Sequence, residues 1–420
     1  MRINIENFVT PWSKLSGREF DSWHSMCSYL GAFPPTLANY FIRYFTEQND
    51  LVFDPFSGRG TTSLEAKLLN RRSVATDLNP IAIRLTEAKN VSLDKQSIFD
   101  RIGDLEKRYD PALYQPEALA QHEDIHLIFH PRTLAQLCFL KRKLLKSELQ
   151  VDKYLIGISL GILHGGERAD GTSGYASIDM PNTFSMSPDY VRRFVQTKRL
   201  NRAFRNVFDL LREKTDRLYK KHNNFDSVGF VSEADAKELS TNEALKQFQK
   251  KVDLIITSPP YLGIVNYAKQ NWIRLWFLDQ KPNEISDNLD DDLNLDEWVA
   301  FAKKFVNQLK SFLKPEGIAV FVIGDVAKSK NSIVPLAREF CLLVKEEKLF
   351  KNIWCINDTV EEFNKTTRIW GDTKGTATAV DRIVILSDID PFTKNNFKTD
   401  IETLNIDFVL ESTKAFIGSS

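Results

Sequence analysis

The chain has 420 residues, a length that at ~150 residues per domain suggests two to three domains, or one domain carrying a large insertion. Hydrophobic residues make up 42% and charged residues 27%, which excludes a disordered or collagen-like chain. Lys plus Arg and Asp plus Glu both total 56, so the net charge is zero, an argument against a uniformly basic nucleic-acid coat. The longest apolar stretch, Tyr154–Leu163, is broken by Gly157, Ser159 and Gly161. A membrane-spanning helix needs about 20 residues, so this stretch is expected to be a buried helix or strand, with no membrane partner. The N-terminus lacks the apolar core of a secretory signal. The four cysteines (Cys27, Cys138, Cys341, Cys355) stand far apart without CxxC spacing, which points to reduced thiols of a cytoplasmic protein and to neither a disulfide framework nor a metal site.

In chain order, Leu51-Val52-Phe53 is expected to be a strand, Asp54–Gly60 a glycine turn and Thr61–Asn70 a helix with Leu64 and Leu68 one turn apart. Ser73–Thr76 is a second strand ending at Asp77. This is a parallel βαβ opening and implies an α/β sheet with helices on both faces. From 91 to 226 the pattern turns helical, with Leu134, Leu137, Leu140, Leu144 and Leu145 recurring at helical spacing, as do Phe204, Val207, Phe208, Leu211 and Leu218. Between these, His164–Tyr175 carries four glycines and is expected to be an irregular loop. Strand signals resume at Val228–Val231, Leu254–Ile256, Ile318–Ile323 and Arg382–Leu386. Trp370-Gly371 and Lys374-Gly375 read as a hairpin before the last strand. The expected division is one catalytic domain over 1–90 and 227–420, with a helical insertion over 91–226.

Two segments carry chemistry. In DPFSGRGTT, residues 54–62, Gly58 and Gly60 let the backbone pass close to a ligand, and the helix that follows points free N–H groups at anything anionic. A P-loop would need GK[ST], and a dinucleotide fingerprint a third glycine where Ser63 stands. The expected ligand is therefore a nucleoside without a long phosphate chain, with Asp77 positioned to grip ribose hydroxyls. In the second segment, a buried strand, Leu254-Ile255-Ile256, runs into Thr257-Ser258-Pro259-Pro260-Tyr261. Consecutive prolines remove two N–H groups and fix the backbone, which leaves a rigid carbonyl beside a hydroxyl and an aromatic ring at a strand's carboxyl end.

These residues resemble the S-adenosylmethionine-dependent amino methyltransferases that act on cytosine N4 or adenine N6 in DNA. The resemblance implies a Rossmann-like, mostly parallel sheet of seven strands interrupted by a helical insertion. It implies S-adenosylmethionine as cofactor, held by Asp54, Phe56, Gly58, Gly60, Thr61, Asp77 and Asn79. Phe33 and Pro34, in the Ala32–Ala38 segment, are similar to the part that packs on the methionine end, and Asp235 matches the acid near the adenine amino group. Ser258, Pro259, Pro260 and Tyr261 correspond to the catalytic motif. The motif order places cofactor motifs before catalytic ones.

The chemistry of such a motif follows from the residues. The lone pair of an exocyclic amine is delocalised into its ring, so the amine is a poor nucleophile. Two acceptors, Ser258 Oγ and the Pro259 carbonyl, can hold its N–H bonds and turn the lone pair toward the methyl donor. Pro260 fixes that carbonyl and Tyr261 can stack on the base, which must first leave the duplex. Transfer is then a displacement dominated by positioning. None of the four cysteines follows a proline, as a cytosine-C5 nucleophile would. In the family pattern a serine at the first position leans toward cytosine N4, and Asp or Asn toward adenine N6; both remain open, as do an RNA amino methyltransferase and a silent DNA-binding subunit.

Charge is segregated. Residues 190–224 hold eleven Lys/Arg against three acids, and 279–297 hold eight acids against Lys281. Arg192, Arg193, Lys198 and Arg199 are expected to lie along phosphates of double-stranded DNA, with the insertion supplying target recognition. Tyr267, Trp272 and Trp276 follow the catalytic motif closely; Tyr267 is a candidate DNA contact, and the two tryptophans are expected to be helix packing. A cognate restriction endonuclease or a defence-system component is a possible partner of such an enzyme, which would act in the cytoplasm at the nucleoid.

Overall fold

The computed structural model describes residues 3–7, 20–168, 170, 172–180, 187–198, 200–227, 229–262, 267–287, 289–290, 292–329, 332–359 and 376–392. Its centre is a sheet of nine strands: β1 (Ile3–Asn7), β2 (Leu51–Asp54), β3 (Arg72–Asp77), β4 (Gly229–Glu233), β5 (Val252–Thr257), β6 (Leu313–Ser329), β7 (Ser332–Val334), β8 (Asn352–Thr359) and β9 (Thr376–Ser387). The spatial order is β1-β8-β9-β6-β5-β2-β3-β4, with β7 paired to β6. The path from β8 to β4 comprises the seven expected strands. β1 adds a parallel edge beside β8, and β7 folds back antiparallel on β6. Within the path only β9 runs against its neighbours, pairing antiparallel with both β6 and β8. The hairpin expected at Trp370–Gly375 lies outside the described residues.

Both faces of the sheet are buried, as parallel strands require. Leu51 and Phe53 point to one side, where Phe305 and Leu309 of the Leu295–Lys310 helix and Phe312 cover them. Val52, Leu254 and Ile256 point to the other, against Leu37, Phe41 and Ile42 of the Pro35–Phe45 helix. The Leu295–Lys310 helix starts on a capping box, with Asn294 and Glu297 satisfying each other's backbone N–H groups.

The stretch between β3 and β4 is helical. Its helices include Lys95–Lys107, Pro131–Leu144, Gln150–Ile162, Pro188–Lys198 and Val207–Leu218. They do not bury their apolar faces only on one another: their cluster takes in Leu64, Leu85 and Ala88 beside β3, and Trp272, Ile273 and Leu275 beyond β5. The apolar stretch expected as helix or strand is the Gln150–Ile162 helix, and its glycines have a packing reason. A Cβ on Gly157 would lie 2.3 Å from Ala88 Cβ, and one on Gly161 only 2.0 Å from the Met26 carbonyl oxygen. All four cysteines are free and buried. Among the described residues no helix is long and apolar enough to cross a membrane.

Because the obstacle at Gly161 is backbone, no rotamer change relieves it. Gly161→Ala is expected to destabilise the protein by about 1–3 kcal/mol through overpacking, read as a lower denaturant midpoint. Gly103, whose Cβ would meet nothing within 4 Å, serves as the control, since Gly103→Ala in a helix is expected to be neutral or stabilising.

Candidate active site

The chain leaves β2 toward β3 and leaves β5 toward β6, so the sheet order reverses between β2 and β5. At such a switch point a crevice opens beyond the carboxyl ends of the strands. Both chemical segments emerge there, one after each strand. Asp54, buried at the end of β2, accepts from Thr257 Oγ at 2.7 Å and from the Phe56 N–H at 3.2 Å. Thr62 Oγ donates to the Ile256 carbonyl at 3.4 Å. The two segments are thus tied together beneath the crevice. Burial pushes the Asp54 carboxyl up to about 6.

The glycine turn is held from both sides. Gly58 and Gly60 have φ of +50° and +74°, in the left-handed region. The Gly58 N–H donates to one oxygen of Asp77 at 2.9 Å, and the Asn79 N–H donates to the other, also at 2.9 Å. On the far side, Lys89 Nζ donates to the Arg59 carbonyl at 2.5 Å. Burial lowers the Lys89 ammonium to about 7 and raises the Asp77 carboxyl to about 6. Gly60 serves packing: its Cβ would come within 2.9 Å of Thr86 Oγ and 3.0 Å of Thr86 Cα.

The crevice is open to solvent. Of the residues expected from the sequence, Phe56, Gly58, Asp77, Asn79, Asp235, Ser258, Pro260 and Tyr267 line it together. Asp54, Gly60 and Thr61 lie behind its wall; Thr61 is buried and accepts from Arg59 Nε at 3.2 Å. Phe33 and Pro34 are elsewhere: Phe33 packs on the sheet core and Pro34 precedes the Pro35–Phe45 helix. Their place on the wall is taken by Tyr29 and Gly31. Asn79 Nδ2 donates to the Tyr29 hydroxyl at 3.0 Å, and the Tyr29 and Tyr267 rings stack 5.7 Å apart. Burial raises the Tyr29 hydroxyl well above its ordinary range, so it stays protonated. Only these contacts single out Tyr29; no spacing in the sequence does.

At the adenine-sized end, Asp235 accepts from the Lys237 N–H at 2.8 Å, and Lys237 Nζ lies 3.3 Å from its other oxygen. Lys237 also pairs with Asp290. One acid of the 279–297 run is therefore part of the pocket wall rather than a solvated face.

The catalytic motif divides. Ser258 and Pro260 face the crevice. Pro259 is buried, and its carbonyl lies beyond the last ladder pair of the strand, Thr257 with Phe321. The Pro260 carbonyl accepts from Trp298 Nε1 at 2.8 Å. The Tyr261 hydroxyl lies 2.8 Å from Ser258 Oγ and donates to the Val322 carbonyl of β6 at 3.1 Å.

Part of the basic run is paired within the protein, while Arg193, Lys198, Arg202, Arg217, Lys220 and Lys221 are exposed. Arg192 pairs with Glu123 at 3.1 Å and Asp124 at 2.5 Å. Arg205 holds Asp179 at 2.7 Å, Arg212 holds Asp209 at 3.1 Å, and the buried Lys214 donates to the Ser25 carbonyl at 3.1 Å. Arg193 and Lys198 are exposed on the Pro188–Lys198 helix. Arg199 lies outside the described residues. In the glycine-rich loop His164 is buried, and Gly165 fits against the Tyr175 ring, 2.3 Å from where a Cβ would stand.

A mostly parallel open sheet whose strand β9 runs against both neighbours, with a glycine turn after β2 and an acid at the end of β3, defines the Rossmann-like class of S-adenosylmethionine-dependent methyltransferases. Within that class the family model described as DNA methylase, of the N6/N4 type, matches residues 6–88 and 252–406. That is more than half of the chain, and the chain belongs to this family; S-adenosylmethionine is its cofactor. The match passes over 89–251, which contains most of the helical stretch. A type II methyltransferase, M.MjaII of Methanocaldococcus jannaschii, is 27% identical over 136 residues, covering 31% of this chain and 25% of that protein. The chain thus spans about a quarter of that relative. Among solved structures, TrmN from Thermus thermophilus superposes with a TM-score of 0.32 at 11% identity, over 87% of this chain and 52% of that one. The rRNA methyltransferase aviRa from Streptomyces viridochromogenes gives 0.30 at 12% identity, over 92% and 95%. Superpositions this loose do not bear on function.

The residues present fit the cofactor: a half-buried carboxylate with lone pairs to spare at Asp77, a second acid at Asp235 and the Phe56 ring lie around the crevice. The Asp77 value gives a signed expectation. Protonation removes its charge and leaves it fewer acceptor sites for the ribose hydroxyls, so cofactor affinity should fall as pH drops through about 6. Calorimetry from pH 5 to 8 checks this. Asp77→Asn should weaken binding at pH 8 and remove the slope; a slope that survives would belong to Asp54.

Proposed function

We propose that this chain is a DNA methyltransferase that moves the methyl group of S-adenosylmethionine to an exocyclic base amine, cytosine N4 before adenine N6. The observation that carries this reading is that Ser258 and Asp77 face the same crevice, while Asp54 and Thr257 lock their strands together beneath it. A nucleoside cofactor seated on Asp77 and a base presented to Ser258 would therefore meet. The family membership points the same way, and the serine at the first motif position leans toward cytosine.

S-adenosylmethionine supplies an electrophilic methyl group on a sulfonium centre. Ser258 Oγ and the Pro259 carbonyl accept the two N–H bonds of the target amine. The amine is thereby drawn toward tetrahedral geometry, with its lone pair aimed across the crevice. With the cofactor bound, that lone pair would form the new N–C bond at its methyl carbon as the C–S pair went to sulfur, and the surplus proton on nitrogen would leave to water. Wall residues act by position: Asp77 and Asp235 hold the nucleoside, Phe56 packs against its apolar face, and Tyr29 with Tyr267 narrows the approach. The base must be extruded from the duplex to enter.

Incubation with methyl-labelled cofactor and unmethylated genomic DNA, followed by nucleoside mass spectrometry, tests the reading. N4-methyldeoxycytidine is the expected product. N6-methyldeoxyadenosine would keep the enzyme class and change the base, and label in RNA alone would overturn the DNA assignment. Ser258→Ala should slow single-turnover transfer on the order of 10²-fold, the scale seen on removal of one preorganised polar group, with cofactor affinity unchanged.

In this reading the helical stretch supplies target recognition, and of the four residues expected along phosphates Arg193 and Lys198 are the exposed ones, since Arg192 is paired with Glu123 and Asp124 and Arg199 lies outside the described residues. Each lost phosphate contact lowers the slope of log affinity against log salt by about 0.9. The double variant Arg193→Gln, Lys198→Gln should flatten that slope by nearly two and leave cofactor binding intact. An unchanged slope would place the phosphate-binding face elsewhere.

A further inference from the structure

Tyr261 is not among the residues that line the crevice; it packs against the core beside it, and its hydroxyl is committed. A phenol has one proton and a backbone carbonyl can only accept. The Tyr261 O–H, 3.1 Å from the Val322 carbonyl, is therefore the donor in that bond. With its proton so engaged, the phenol oxygen can only accept from Ser258 Oγ at 2.8 Å. The Ser258 proton in turn points to Tyr261, and the lone pairs of Ser258 Oγ are what remains for the crevice that it lines.

We infer that Tyr261 is a positioning residue that acts through Ser258. By fixing the direction of the Ser258–Tyr261–Val322 chain, it makes the serine hydroxyl a pure hydrogen-bond acceptor toward the target amine. This rests on the methyltransferase reading above and goes beyond it. A free serine hydroxyl would rotate and spend part of its time donating, to water or to a ring nitrogen of the base, and such a contact would hold the amine lone pair in the ring. The chain ends on a carbonyl that takes up no proton, so it orients Ser258 and carries nothing away. It follows that Ser258 is not a general base. Val322 lies on β6, which pairs directly with β5, so the polarity of the serine is set by the sheet itself rather than by a loop.

Tyr261→Phe removes the hydroxyl and keeps the ring and its packing against the core. Single-turnover methyl transfer to unmethylated genomic DNA is measured for the unaltered protein, Tyr261→Phe, Ser258→Ala and the double variant, with cofactor and DNA affinities alongside. Tyr261→Phe should slow transfer about tenfold, the rate equivalent of one hydrogen bond, at unchanged affinities and with an unshifted pH–rate profile. The double variant should be no slower than Ser258→Ala, because a residue that acts only through the serine has no effect once the serine oxygen is gone. A Tyr261→Phe protein as fast as the unaltered one, or two effects that multiply, overturns the inference while the enzyme reading stands. An unaltered protein that transfers no label to DNA overturns both.

Discussion

The hydrogen bond between Asp54 and Thr257 ties the rest of the site together. It joins residues 203 positions apart in the chain, inside the protein, at the point where the sheet order reverses. A buried polar pair of this kind contributes only modestly to net stability, but leaving either partner unsatisfied costs the full desolvation of that group. The bond therefore acts mainly as a constraint on register. With β2 and β5 locked at their carboxyl ends, the glycine turn and the proline pair can emerge on opposite sides of one crevice, and neither segment could make a reaction site alone.

Around that lock the protein uses buried charge sparingly and always with partners. Lys89 reaches under the glycine turn to the Arg59 carbonyl, while Asp77 takes the Gly58 N–H from above. Arg274, almost wholly buried on the Trp272–Phe277 helix, donates to Asn271 at 2.6 Å, to Ser28 at 2.9 Å and to the Leu160 carbonyl at 3.3 Å. That one guanidinium joins the segment after the catalytic motif to the Gln150–Ile162 helix and to the stretch that carries Tyr29. His222, stacked on Trp23 at 3.8 Å and bonded to Asp21 at 2.9 Å, pins the same stretch to the end of the helical layer. The stretch that carries Tyr29 and Gly31 is thus held from the helical layer as well as by Asn79, just after β3, and Tyr267.

This arrangement couples the helical layer to the site. Gly157 and Gly161 let the Gln150–Ile162 helix press against the Pro80–Lys89 helix and against residue 26, and the first of these neighbours carries Lys89 and Thr86 on its last turns. One helix, Pro80–Lys89, thus packs on the helical layer and also reaches the glycine turn through Lys89.

What the sequence determined by itself is local. Glycine at 58 and 60, proline at 259 and 260 and the alternation through Leu51–Phe53 restrict the backbone within a few residues of themselves, so the turn, the rigid carbonyl and the central strands were legible without coordinates. So was the interruption of the sheet, because helical periodicity runs on for more than a hundred residues. Strands β1, β7 and β8 were not legible: Asn352–Thr359 mixes polar and apolar residues without alternation, and it is held by its place between β1 and β9. Tertiary structure alone decided which side chains face the crevice. Phe33 and Pro34 follow the segment that approaches it, yet Tyr29 and Gly31 form the wall, because Asn79 and Tyr267 meet them there. It alone also showed that part of the basic run is paired within the protein. Arg192 finds Glu123 at a separation of 69 residues and Arg205 finds Asp179 at 26, and no local pattern records where a long side chain's charge is neutralised, since that depends on which distant surface the fold brings within its reach.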